Sequence, residues 1–190
     1  VTSELYDGKK GIKVIPCYYK KDYPEWSDRG DGPGAPVAVH LPQSPIISTG
    51  KRDGSKIRLP NGNYLEETAS YYVMIETKTG GYTPALITMK STQLNVSKKW
   101  NSMMKTIQIP DGKGGFAIPP MHGVVYNLAS TLQKNDKGSW YGWVVTQDRI
   151  LGQKDKSLYL EAKDFSGNVS KGNVQTKADV EEKAKDSTPY

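Results

Sequence analysis

The chain has 190 residues, enough for one domain with a full hydrophobic core, and its 36% hydrophobic and 24% charged residues exclude an intrinsically disordered polypeptide. Its formal net charge of +6 favours a polyanionic partner, most often nucleic acid. No apolar stretch is long enough to span a bilayer, and the single cysteine, Cys17, excludes an internal disulfide framework, so we expect a reducing compartment and no membrane partner.

The first third of the sequence combines one strand with a long irregular segment. Asp7–Gly11 has the Asp-Gly chemistry of a hairpin turn, and alternating apolar residues predict a strand over Gly11–Tyr19. Pro16 inside this strand predicts an edge position or a bulge. Gly, Pro, Asp, Ser and Lys dominate residues 27–59, which predicts a long loop with one short strand, Val37–His40.

The middle of the chain predicts a hairpin followed by a helix. Tyr71–Glu76 and Ala85–Lys90 are β-type runs separated by Gly-rich turn chemistry. Ser91 or Thr92 is the expected N-cap of the helix, and Pro110 follows its end. Helical spacing links five apolar residues: Val96, Trp100, Met103, Met104 and Ile107.

The last third predicts two strands, a second helix and a tail. A Gly/Pro-rich loop precedes short strands at Val124–Leu128 and Ser139–Val145, and the spacing of apolar residues predicts a helix near Lys156–Ser170. Residues 174–190 are polar and mixed in charge, which predicts a mobile tail. We therefore expect a single β-rich domain over residues 1–173.

Catalytic chemistry is thinly represented. His40 and His122 are the only histidines, and neither belongs to a motif with metal-ligand spacing. An acidic cluster that could hold Mg²⁺ would make a nuclease the enzymatic alternative, although a solvated loop explains the same acids more simply. This cluster comprises Asp22, Glu25, Asp28 and Asp31. We expect no enzyme, no metal and no cofactor.

Lysines and amphipathic aromatic residues supply the candidate binding chemistry. The stretch Lys90–Lys113 holds five lysines against one acid, although a solvated helix face shows the same pattern. Twelve Tyr and four Trp against two Phe favour half-exposed aromatic platforms, although ordinary sheet aromatics fit as well. Three further sets are candidates: Tyr18, Tyr19, Tyr23 and Trp26 interleaved with Lys20 and Lys21; Trp140, Tyr141 and Trp143; and the loop residues Lys51, Arg52, Lys56 and Arg58.

Several segments resemble a family of tailed-bacteriophage proteins. They are Glu4–Tyr19, Leu59–Tyr64, Ala85–Leu94, Trp100–Met103 and Gly138–Trp143, and the likeness runs from Glu4 to about Gly172. The resemblance implies a single-stranded DNA-binding-like protein that accompanies phage DNA replication and recombination in the host cytoplasm. It also implies an additional N-terminal segment, as does a chain that begins at Val1 rather than Met.

The end of the chain only partly fits this family role. Single-strand binding proteins often end in an acidic tail that closes on an aromatic residue, and Asp186–Tyr190 resembles that ending. However, Lys177, Lys183 and Lys185 nearly cancel the acids of the tail. We therefore do not expect the tail to recruit replication or recombination partners by charge.

These observations predict a mainly β, α+β protein with an OB-like barrel or curved antiparallel sheet, one or two helices and long loops. It would bind single-stranded DNA without strong sequence preference, with a homo-oligomer left open. The alternative is a virion structural or accessory protein that makes protein–protein contacts, whose affinity would depend less on salt. The expected DNA-binding residues are Tyr19, Lys20, Lys21, Trp26, Arg52, Arg58, Lys90, Lys98, Lys99, Lys105 and Tyr141.

Overall fold

The computed structural model describes residues 7–28, 35–136 and 138–174, so the predicted tail lies almost wholly outside the described residues. Three α-helices occur in them: α1 (Ile46–Thr49), α2 (Leu94–Thr106) and α3 (Lys156–Ser170). The strands are β1 (Ile12–Trp26), β2 (Ala38–His40), β3 (Lys51–Asp53), β4 (Lys56–Arg58), β5 (Tyr64–Glu66), β6 (Thr68–Glu76), β7 (Tyr82–Lys90), β8 (Ile109–Pro110), β9 (Phe116–Ala117), β10 (Val124–Asn135) and β11 (Gly138–Ile150).

Five long strands form a curled antiparallel half-barrel, which we call the large sheet. Its order is β11-β10-β1-β6-β7, with β1 at the centre. The predicted hairpin over residues 71–90 is confirmed as β6–β7, in which Tyr72 pairs with Leu86. The fold-class prediction, a mainly β protein with a curved antiparallel sheet, is confirmed, although the described residues contain three helices where one or two were expected.

Helices cover both faces of the large sheet. On one face, the predicted apolar stripe of α2 is confirmed, because Trp100 is fully buried, stacks on Tyr71 at 4.4 Å and meets Tyr126 edge-on at 5.6 Å. On the other face, α3 packs Ala162 against a buried cluster that includes Ile15 and neighbouring strand residues. Coverage of both faces explains why β6 is buried at every residue from Thr68 to Met74 instead of at alternate residues.

Pro16 marks a bulge in β1, as one of its two sequence interpretations requires. The pairing of β1 with β6 shifts register between Pro16 and Tyr18. β1 as a whole is not an edge strand, since it pairs with β10 on one side and β6 on the other, but at Pro16 only β6 is its partner. Pro16 lies beyond Val14, the last β1 residue paired with β10, so its missing N–H interrupts no pairing on that side.

A second sheet continues from the C-terminal half of β1, and we call it the small sheet. Its order is β2-β1-β5-β4-β3, so β1 is shared by both sheets. A long loop over residues 27–59 was therefore the wrong prediction for much of this segment: the short strand at 38–40 is present, but α1, β3 and β4 lie there too. These strands have only three residues each, too few for a clear period-two pattern.

The remaining elements extend or adjust the predictions. The predicted helix at Lys156–Ser170 is confirmed, whereas β10 and β11 continue several residues beyond the predicted strands. The predicted cap of α2 is wrong, because the N-cap position is Gln93, without a side-chain capping bond, after a 3₁₀ turn over Ser91–Gln93. None of the helices in the described part of the chain has the length and apolar composition that a bilayer crossing demands.

Candidate nucleic-acid interface

One face of the small sheet carries four side chains in direct cross-strand register. Trp26 of β1 pairs with Tyr64 of β5, and Tyr64 pairs with Arg58 of β4. Arg58 in turn pairs with Lys51 of β3. Directly paired residues of antiparallel strands project from the same face, so the four side chains form one line, which we call the aromatic–basic row.

The opposite face of the small sheet is its core. Leu65 and Ile57 alternate with row residues along β5 and β4 and are buried with Tyr23 and Leu59. Ile46 and Ile47 of α1 pack against this cluster. The aromatic–basic row therefore lies on the face directed away from the core.

Cations lie over both aromatic rings of the row. The Nζ atom of Lys56 lies 3.6 Å from the ring centroid of Tyr64, and the guanidinium carbon of Arg58 lies 5.5 Å from the same centroid. Lys90, at the end of β7, places its Nζ 5.8 Å from the ring of Trp26. Each ring thus has a cation within cation–π range.

Ion pairs neutralise part of the charge of these cations. Arg58 contacts Asp28 at 3.1 Å and Asp53 at 3.5 Å, and Lys90 contacts Glu66 at 3.1 Å. The two pairs of Arg58 are exposed and contribute only ~0–1 kcal/mol each, so a phosphate can replace the carboxylate there at small cost, whereas the Glu66 side chain is mostly buried. Lys51 and Lys56 make no ion pair with any described residue.

An apolar strip continues the row toward the β2 edge. Val39 pairs with Pro24, which lies two residues before Trp26 in β1 and therefore projects from the same face. Val37, Val39 and Leu41 alternate along the chain and are 56%, 47% and 59% exposed. The outward face of the small sheet therefore runs from an apolar edge, through two aromatic rings, to a basic edge.

A buried carboxylate holds the loops behind this face in place. Glu25 is 5% exposed, accepts hydrogen bonds from the side-chain amides of Asn63 at 2.6 Å and Asn61 at 3.2 Å, and lies 2.7 Å from the Nε2 atom of His40. Burial opposes ionisation of Glu25, but the bonds from Asn63, His40 and Asn61 outweigh it and hold the pKa of this carboxyl below its ordinary value. Glu25 thus connects β2, β1 and the turn before β5.

A second basic site lies beside the small sheet, where α2 begins. A cleft of about 210 Å³ is lined by Arg52 and Ser55 near β3, by Glu67 before β6, and by Ser91, Asn95 and Lys98 at the start of α2. Arg52 and Lys98 come from separate elements, and the fold brings them to one cavity. We call this the α2 cleft.

The other expected DNA-binding residues lie apart from these two sites. Tyr19 packs on Tyr71 at 4.9 Å, at the margin of the large core, and Lys20 pairs with Asp22 at 3.2 Å. Lys99 and Lys105 are exposed on α2, and Tyr141 is 72% exposed on β11. The structure therefore gathers Trp26, Arg58 and Lys90 at the row and Arg52 and Lys98 at the cleft, and Lys21 approaches the cleft through Glu67.

The acids of the predicted cluster do not converge, because each described member contacts a different partner. Asp22 pairs with Lys20, Glu25 with His40 and two asparagines, and Asp28 with Arg58. Asp31 lies outside the described residues. Among the described residues, no group of three or more His, Cys, Asp or Glu side chains could hold a metal ion.

Sequence reasoning missed Tyr64 and treated Lys56 only as a loop cation. The signal was present but short: Lys56-Ile57-Arg58 and Tyr64-Leu65-Glu66 both alternate polar or aromatic, apolar, polar. A turn with Asn61-Gly62-Asn63 chemistry separates them, and Gly62 has a φ of 90°. Together these features describe a minimal hairpin with one buried and one exposed face.

The fold places the chain among mainly β proteins built on a curled antiparallel half-barrel with helices on both faces. The chain belongs to the Pam3 phage gp34-like protein family, whose model matches residues 1–175. It is therefore a bacteriophage protein, and the phage affiliation predicted from the sequence is confirmed at that level. No curated protein and no solved structure matches the chain.

Proposed function

We propose that this phage protein binds single-stranded DNA with little sequence preference, through the outward face of the small sheet. The observation that carries the proposal is the aromatic–basic row, in which Trp26 and Tyr64 stand side by side with cations over both rings. Every base has a π-face, so stacking on adjacent aromatic side chains is tolerant of sequence, while Lys and Arg neutralise the phosphates.

Binding requires a small rearrangement of the row. In the free protein, Lys56 and Arg58 lie over the ring of Tyr64, where a base would stack. We expect the Lys56 ammonium to move from the ring to a phosphate when a base takes its place, because its four-carbon stem is flexible and it makes no ion pair with a described residue. The exposed carboxylate partners of Arg58, Asp28 and Asp53, exchange for phosphates in the same way.

The proposal favours single strands over duplexes. In a duplex the base faces are occupied by neighbouring base pairs, so a stacking platform reaches them only after paying the unstacking energy. The apolar strip of Val37, Val39 and Leu41 extends the surface on which unpaired bases or sugars can lie. We propose further that the protein binds without catalysis and accompanies replication or recombination proteins in the host cytoplasm.

The test is the anisotropy of a fluorescent dT oligonucleotide titrated with the protein at low and moderate salt. We expect affinity to fall with salt, with a slope of about −0.7 per phosphate neutralised, and weaker binding to a duplex of the same length. Tyr64→Leu keeps an apolar side chain but removes the ring, and should weaken binding about tenfold, since stacking is worth about 1–3 kcal/mol per base.

Tyr141→Leu is the control, because it makes the same change at a tyrosine of β11, 72% exposed, instead of in the row. It should leave affinity within about twofold of the unaltered protein. Absence of binding at low salt would contradict the proposed function. Equal losses in Tyr64→Leu and Tyr141→Leu would move the binding surface away from the small sheet.

A further inference from the structure

We propose that the α2 cleft is a phosphate-binding site, separate from the aromatic–basic row. Its volume of about 210 Å³ accommodates a phosphate with part of a sugar. Its lining brings together a guanidinium, an ammonium, a hydroxyl and an amide, which are the groups that bind phosphate oxygens in proteins. These belong to Arg52, Lys98, Ser91 and Asn95.

The charge of the cleft supports an anionic ligand. Glu67 is the one carboxylate in its lining, and it is paired with Lys21 at 2.8 Å and lies within 3.4 Å of the Tyr23 hydroxyl. The hydrogen bond with Glu67 raises the pKa of Lys21, as a stable ion pair requires. Arg52 and Lys98 make no ion pair with a described residue, so the cleft keeps two uncompensated positive charges.

The backbone at the start of α2 is compatible with this ligand. The first turn of α2 contains no acidic residue, and the side chain at its N-cap position makes no capping hydrogen bond to the helix. The positive end of the helix dipole therefore has no anionic side chain in the first turn to compensate it. This feature reinforces the charge of Arg52 and Lys98 without being needed to create it.

Another basic cavity of the chain lacks this arrangement. The cavity near Lys10, Lys13 and Lys78 is larger, but Lys13 is paired with Asp148 and Glu76 is part of its lining. The α2 cleft is thus distinguished by two cations without an ion-pair partner among the described residues and by a carboxylate already neutralised from outside. We infer that its ligand is a phosphate group, presented either as a phosphodiester within a strand or as a terminal phosphomonoester.

The claim that the cleft contacts the DNA strand rests on the proposed function. The claim that the cleft binds phosphate does not. Inorganic phosphate is therefore the first probe. In a titration of the ¹⁵N-labelled protein at constant ionic strength, the amides of Ser91 and Asn95 should shift saturably with phosphate and not with chloride. Arg52→Ala with Lys98→Ala should weaken phosphate binding about tenfold or more, because each removes a charge-assisted hydrogen bond.

Lys99→Ala is the control for the Lys98→Ala change, since it removes one ammonium from the next residue of α2, outside the cleft. It should leave the phosphate titration unchanged. No saturable shift in the unaltered protein, or equal affinities in the double variant and Lys99→Ala, would overturn the phosphate site. If the protein binds phosphate but no oligonucleotide, the proposed function is contradicted and the phosphate site is still supported.

The two sources of phosphate are separated with dT oligonucleotides that carry a 5′-phosphate or a 5′-hydroxyl. Tighter binding of the phosphorylated strand that disappears in the double variant assigns the cleft to a strand terminus. Equal binding of the two strands, with a salt slope that is smaller by about 0.7 for each phosphate that the double variant no longer neutralises, assigns the cleft to an internal phosphodiester. An unchanged slope together with no preference for the 5′-phosphate would overturn the role of the cleft in DNA binding.

Discussion

The large and small sheets share β1 but use their faces differently. The large sheet is buried by α2 on one face and α3 on the other, and its central residues, such as Val14, Ile15 and Tyr71, are fully buried. The small sheet has one buried face, and its other face carries aromatic rings, cations and exposed apolar side chains. The centre of the large sheet is thus a scaffold, whereas the open face of the small sheet offers a continuous surface of aromatic and basic side chains.

The difference also appears in what stabilises each sheet. The large sheet relies on packing of large side chains, with Trp100 between Tyr71 and Tyr126. The small sheet has a core of a few residues, and the polar network around Glu25 connects its strands and loops. Substitutions in the two sheets should therefore differ in their effect on the free energy of unfolding, which gives three tests of the comparison.

The largest effect on stability is expected in the large sheet, from Trp100→Ala. Removing a fully buried indole leaves a cavity beneath α2 and should lower the free energy of unfolding by about 3–5 kcal/mol. Denaturant unfolding followed by circular dichroism measures this loss. Tyr64→Leu, on the outward face of the small sheet, should cost less than about 1 kcal/mol. Comparable losses from both variants would break the distinction between scaffold and surface.

The large sheet could be predicted from the sequence better than the small sheet. The helices α2 and α3 were predictable because each is long enough for its apolar period to repeat, and the hairpin β6–β7 because two β-type runs flank Gly-rich turn chemistry. In the small sheet, β3 and β4 were predicted as loop and β5 was not predicted at all, since these strands are three residues long and their pairing depends on β1, distant in sequence. For the same reason Tyr64 was missed, although its cationic neighbours were identified.

The convergence of residues could not be predicted from composition. Arg52 and Lys98 are 46 positions apart in the chain and meet because the start of α2 lies beside β3 and β4. Conversely, the lysines next to aromatic residues in β1 are split between two faces by strand alternation, so that Lys20 lies by Tyr72 while Lys21 meets Glu67. The lysines and aromatic residues of β1 are therefore neighbours in sequence without forming one binding surface. Arg52 and Lys98 are distant in sequence and line one cleft.

An intermediate effect is expected from Glu25→Gln in the small sheet. The substitution weakens charge-assisted hydrogen bonds from Asn63 and Asn61 and the contact with His40, and should lower the free energy of unfolding at neutral pH by about 1–3 kcal/mol. Because the folded-state pKa of Glu25 is depressed, its contribution is complete above the ordinary value of 4.5 and is lost as pH falls through the folded-state pKa. The variant should therefore lose less stability than the unaltered protein on acidification below that value.

Urea unfolding at pH 7 and at successively lower pH measures both effects. Glu161→Gln, on the exposed surface of α3, is the matched control and should be within about 0.5 kcal/mol of the unaltered protein at neutral pH. Identical acid sensitivity in Glu25→Gln and the unaltered protein would show that the network does not stabilise the small sheet through the Glu25 charge. The scaffold of the binding face would then depend on its small apolar core alone.

The smallest effect is expected where the two sheets meet, at Ser91. Ser91 follows Lys90 at the end of β7, lines the α2 cleft and has a φ of 52°, in the left-handed region that favours glycine. Ser91→Gly should relieve this strain and raise the free energy of unfolding by about 0.5–1 kcal/mol, after the entropy that glycine costs is subtracted.

The converse control is Gly80→Ala in the β6–β7 turn, where φ is 84° and an added Cβ meets no atom within 4 Å, so any loss of stability reports backbone strain alone. Thermal unfolding of both variants should show opposite shifts; destabilisation by Ser91→Gly would mean that the hydroxyl contributes more at this junction than its backbone conformation costs. A stabilised Ser91→Gly variant with weaker phosphate affinity would instead show that the strain is maintained for the cleft, since a serine there costs stability and supplies a donor.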